Sequence, residues 1–107
     1  MFNFRDGSGW NLEAEIRCLI IFKVLEESGN PKGLKTDLCE ALAVSSGISV
    51  GSIKAKVGNY KSEFGLTGET HSSEATKYLA SSFGNLTVKE LDILLNGYLL
   101  GRTEVST

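Results

Sequence analysis

Proline and histidine each occur once in the 107 residues, cysteine twice, and no apolar run is long enough to cross a bilayer. Each scarcity excludes something. The single proline lies in Asn30-Pro31-Lys32-Gly33, and the residue before a proline is pushed towards extended backbone, so this tetrapeptide breaks the chain between two helices. His71 stands among serines and threonines in the loop from Thr67 to Ser73, which cannot complete a metal site, and it reads as a solvent-exposed side chain. Cys18 and Cys39 fall at apolar-facing helical positions with no Cys-x-x-Cys spacing and no nearby histidine. They read as buried thiols of a reducing compartment, not as a disulfide framework. The longest apolar run, Cys18 to Phe22 resumed at Val24 and Leu25, is broken by Lys23 and no basic-then-apolar leader precedes it, so the expected location is cytoplasmic and no membrane is involved.

Catalytic motifs are missing as well. The chain has no phosphate loop with a Lys-Ser/Thr pair, no Gly-x-Ser-x-Gly and no His-x-x-x-His. The acidic pairs Glu13/Glu15 and Glu26/Glu27 lie at helix ends, where they read as dipole complements or solubilising charge, although the second pair sits at the end that disfavours it. No catalytic residue, metal or cofactor is therefore expected, and the chain does not read as an enzyme.

A net charge of −2 removes the generally basic surface of a protein that coats nucleic acid. Its distribution is uneven. Residues 1–29 hold three basic and five acidic side chains, residues 30–62 five and two, and residues 63–107 three and six. Positive charge is thus concentrated in the middle third.

What is present is helical periodicity throughout, in a length that suits one domain. Residues 1–9 carry Phe2 and Phe4 without a sustained period and read as an arm, 10–100 as the helical domain and 101–107 as a tail. The expected fold is all-α, a compact bundle of about five helices with a helix-turn-helix-like core. The first helix starts at the cap Asn11, buries Leu12, Ile16, Leu19, Ile20, Val24 and Leu25, and stops at Gly29. A short second one runs from about Thr36 to Val44, burying Leu38, Cys39 and Leu42. Ser49 caps the third, whose stripe Val50, Ile53, Val57, Tyr60 and Phe64 steps by three and four. A fourth spans about Ser73 to Phe83 with Ala75, Tyr78, Leu79 and Phe83 inward. Thr87 and Glu90 form a capping box for the fifth, which runs to about Leu100 and buries Leu91, Leu94, Leu95 and Tyr98. Trp10 reads as a core or staple residue.

The third helix carries the functional signal. Opposite its apolar stripe lie Gly51, Ala55, Gly58 and Ser62, with Ser52 and Asn59 beside them, Lys54 and Lys61 on one flank and Lys56 on the other. Two glycines inside a helix each cost about 1 kcal/mol relative to alanine, so a reason for them is expected, and close approach of another backbone is one. The lysines would neutralise phosphates, Ser52 and Asn59 would reach phosphates or base edges, and the helix start at Ser49 would offer backbone amides. On this reading Ser49, Ser52, Lys54, Lys56, Asn59 and Lys61 bind nucleic acid, and glutamates at the three lysines abolish binding without unfolding the domain. The competing reading is an ordinary solvated face, or packing for a partner helix in a homodimer or inhibitor complex.

The run Ser52-Ile53-Lys54-Ala55-Lys56-Val57-Gly58-Asn59-Tyr60 resembles the S-V-x-M-K-L-x-N-F signature of a helical domain at the N-terminus of many bacterial HNH-endonuclease and restriction-like proteins. Ser52, Lys56, Asn59, Ile53, Val57 and Tyr60 match, Ala55 replaces the usual methionine, and the arginine often found just before the signature is absent. The likeness covers roughly residues 10–95. It implies a DNA-recognition module of bacterial or phage origin standing without its nuclease domain, with DNA as the partner.

Overall fold

In a computed structural model of the chain, residues 10–64 and 74–101 are described in full and residues 102–106 as helical backbone. Five helices account for nearly all of them: α1 Leu12–Ser28, α2 Leu34–Ser46, α3 Val50–Glu63, α4 Glu74–Phe83 and α5 Val88–Ser106. No strand occurs among the described residues. The fold is an all-α bundle. The aromatic arm, Ser73 and the His71 loop lie outside the described residues.

Central to the bundle is α1, which packs against all four other helices. Its sequence explains why: Ala14, Ile16, Cys18, Leu19, Ile21, Phe22 and Leu25 are all buried, so the apolar surface wraps much of the cylinder instead of forming one stripe. Asn11 caps it, its Oδ1 accepting from the Ala14 amide at 2.8 Å, and Gly29 closes it. Around α1 stand Leu42 of α2, Ile53, Val57 and Tyr60 of α3, Leu79 of α4, and Leu91 and Leu95 of α5.

At its ends α2 departs from expectation, running two residues further each way. Gly33 adopts a left-handed backbone (φ 87°) that lets the chain turn into the helix directly after Pro31, and Gly47 (φ 77°) closes it with its amide on the Ala43 carbonyl. Only Gly47, Ile48 and Ser49 separate α2 from α3, and Ile48 is buried in that turn.

The two acidic residues that the dipole of α1 disfavours find partners outside its own backbone. Glu26 pairs with Lys23 at 2.8 Å, and the Glu27 carboxylate accepts from the Val88 amide at 3.0 Å, so it sits at the positive start of α5. The capping box forms as expected, with Thr87 Oγ1 accepting from the Glu90 amide and Glu90 Oε1 from the Thr87 amide. The fifth helix then continues past Leu100 to Ser106.

Two inward assignments are corrected. Val50 is exposed at the first turn of α3, and Tyr78 stands 46 % exposed, edge-on to Phe83. The inward place on α4 goes instead to Thr76, which is fully buried because its hydroxyl serves a carboxylate of α1. That carboxylate is Glu15. It is no dipole complement in solvent, for its exposure is 0 %.

Candidate nucleic-acid interface

Glu15 divides the lysines of α3 into two kinds. Its buried carboxylate accepts from Tyr60 Oη at 2.7 Å and from Thr76 Oγ1 at 3.2 Å, and it pairs with Lys56 Nζ at 2.7 Å. Lys56 also donates to Thr76 Oγ1 at 3.2 Å and lies over the Trp10 ring, 4.8 Å from its centroid. Three donors from two helices thus meet one carboxylate, close to the capacity of its lone pairs. Burial, reinforced by the adjacent Glu15 charge, pushes the Tyr60 phenol far up, so it remains a donor at any physiological pH. The Cys18 thiol is pushed up by the same two causes.

Lys56 therefore does not join the outward lysines. It neutralises a buried carboxylate, and a glutamate in its place would set two carboxylates together in the core. Reversal of Lys56, unlike that of Lys54 and Lys61, is therefore expected to destabilise the domain.

The remaining site residues share the outward side of α3. Ser49 Oγ accepts from the Ser52 amide at 3.2 Å and donates to Ser52 Oγ at 2.9 Å, so the two hydroxyls form one exposed cap at the helix start. Asn59 lies two turns further along, half-buried. Lys61 is exposed and Lys54 half-buried, and neither ammonium has an ion pair or hydrogen bond among the described residues. Lys35, from α2, belongs beside them and escaped the reading of α3 alone. It and Lys61 line one cleft, and Lys35 and Lys54 both act on the buried Cys39 thiol, opposing the upward push of its burial. Its only trace in the sequence is the charge excess of the middle third.

Between the lysine edge and Ser52 runs the small-residue face. A Cβ placed on Gly51 or Gly58 would meet nothing within 4 Å. Among the described residues neither glycine is demanded by packing, nor by a left-handed backbone, since both lie within α3. Gly51→Ala and Gly58→Ala are expected to stabilise the fold by about 1 kcal/mol each, a rise of roughly 4 °C in the thermal midpoint, measured by circular dichroism. A fall at either position would mean that the glycine has a structural duty.

Compared with known proteins, the chain matches no family model, and no curated protein and no solved structure matches it either. Among the described residues no group of His, Cys, Asp and Glu could hold a metal ion, and no helix is long and apolar enough to cross a membrane.

Proposed function

We propose that this chain is a DNA-binding helical module, non-enzymatic and cytoplasmic, in which α2, the three-residue turn and α3 act as a helix-turn-helix. The observation that carries the proposal is the outward side of α3: an uncovered face of Gly51, Ala55 and Gly58 edged by Lys54, Lys61 and Lys35. A short glycine-containing turn before a second helix is the arrangement by which such motifs present a recognition helix. Small residues let that helix lie close to a duplex, the lysines neutralise phosphates, and Ser52 and Asn59 are the side chains placed to reach bases. The likeness of Ser52 to Tyr60 to the HNH-associated signature supports the same reading, now shared with packing: Lys56 and Tyr60 serve the buried carboxylate, and of the remaining polar signature positions Ser52 is exposed and Asn59 half-buried.

A gel-shift titration in salt tests it. Binding should weaken steeply as salt rises, with a log-log slope of about −0.9 per lysine–phosphate contact. Lys54→Glu/Lys61→Glu, with Lys56 untouched, should abolish the shift at moderate salt and leave the thermal midpoint within a few degrees. A folded double variant that binds as the parent does removes the proposal. The rival reading, a protein-contact or homodimeric module, has one observation in its favour. Ile93 and Leu100 stand 64 % and 65 % exposed, seven residues apart on α5. It gains if light scattering on the same samples shows a dimer indifferent to duplex.

A further inference from the structure

A cleft of about 170 Å³ opens where α1, the start of α2 and α3 meet. Its floor is apolar, made by Phe22, Leu25 and Val57, each less than 8 % exposed. Lys35 and Lys61 also line it, Lys61 exposed and Lys35 half-buried, and it stays open beside Gly58 because no side chain grows there. The one acid of the lining, Glu26, is held by Lys23 at 2.8 Å, so the lining is positive on balance.

Volume and charge together limit what the cleft can take. Drug-sized ligands fill roughly 300 Å³ or more, whereas an apolar cavity of about 150 Å³ holds a single ring. A ring on an apolar floor with two cations in the lining calls for a flat group tethered to an anion. We infer that the cleft receives one unstacked nucleotide, its base on the Phe22, Leu25 and Val57 floor and its phosphate between Lys35 and Lys61. This rests on the DNA-binding reading and extends it, because Lys61 and Gly58 belong to both surfaces. Extrusion of a base costs a few kcal/mol of stacking and pairing and least where the base is already unpaired, so the module should prefer DNA with a looped-out or single-stranded nucleotide. An aromatic side chain beside an acidic residue has the same chemistry at lower charge. The two lysines favour the phosphate, which accompanies every base.

The test uses the whole chain and three short duplexes: fully paired, with a single-base bulge, and with the same bulge lacking its base. Affinities come from fluorescence anisotropy, and the methyl resonances of Leu25 and Val57 from NMR. The expected result is binding at least tenfold tighter to the base-carrying bulge than to either other duplex, with both methyls shifted by that duplex alone. Equal affinities for the three duplexes overturn the inference and leave the DNA-binding reading standing. Binding to none of them overturns both. Methyl shifts produced by an acidic, phenylalanine-containing peptide and by no duplex would make the cleft a protein-docking site and likewise overturn the inference.

Discussion

Lys56→Met is expected to lower the stability of the fold by about 3–5 kcal/mol, the usual consequence of leaving a buried charge without its partner. A domain of this size has about 5–15 kcal/mol in all, so the variant should sit near the edge of folding and lose a third or more of its urea midpoint. The methionine would fill most of the space and could keep a favourable contact with the Trp10 ring, so lost volume is a minor part of the effect. What remains is Glu15, fully buried, with only the Tyr60 and Thr76 hydroxyls to solvate it. Glu15→Gln in the Lys56→Met background should recover much of the loss, because a neutral amide oxygen can still accept from both hydroxyls. The two changes must therefore be strongly non-additive in a double-mutant cycle. Additive losses would show that Lys56 acts through packing alone.

That pair also marks where sequence reasoning reaches its limit. Periodicity along one helix finds which side is apolar, and it located Ile16, Leu19 and Leu25 of α1, Ile53, Val57 and Tyr60 of α3 and Leu91 and Leu95 of α5, but it missed Ile21 and Phe22, because the apolar surface of α1 wraps beyond one stripe. Asn11, Ser49 and the Thr87/Glu90 box were legible too, since a cap is a bond between neighbours in the chain. Glu15 was not legible. Its burial depends on Lys56, Tyr60 and Thr76, which are 41 to 61 residues away and belong to two other helices. Nothing local to the Glu13 to Glu15 stretch separates a carboxylate destined for the core from one that pairs with Arg17 on the surface, as Glu13 does at 3.0 Å. Thr76 and Tyr78 exchanged places on α4 through the same cause: a hydroxyl was needed inward, and hydrophobicity alone would have chosen the ring. Of the candidate interface, the outward side of α3 could be read from its own spacing. Lys35 could not, because it joins Lys61 only through the packing of α2 on α3.

Raising the pH from 8 to about 11 should destabilise this protein, and the direction follows from two buried acids. Cys18 and Tyr60 have ordinary values of 9.0 and 10.0, and in the folded chain both are pushed upward by burial first and by the Glu15 charge second. A group whose folded value lies above its unfolded one contributes stability that is complete below the unfolded value and is lost as the pH climbs above it, because the unfolded chain can release the proton and the native one cannot. Each group then removes about 1.4 kcal/mol per pH unit. By pH 11 the two together should cost about 4 kcal/mol, with the Cys39 thiol, also raised by burial, adding to the loss. Urea melts at pH 8, 9.5 and 11 should show a midpoint that is level at first, starts to fall near pH 9 with the thiols, and falls more steeply beyond pH 10 when the phenol joins. Cys18→Ala, whatever its cost at pH 8, should flatten the decline between pH 9 and 10 and leave the steeper part in place. A midpoint unchanged to pH 11 would mean that water reaches Tyr60 and Cys18, and the closed cluster around Glu15 that separates Lys56 from the outward lysines would have to be redrawn.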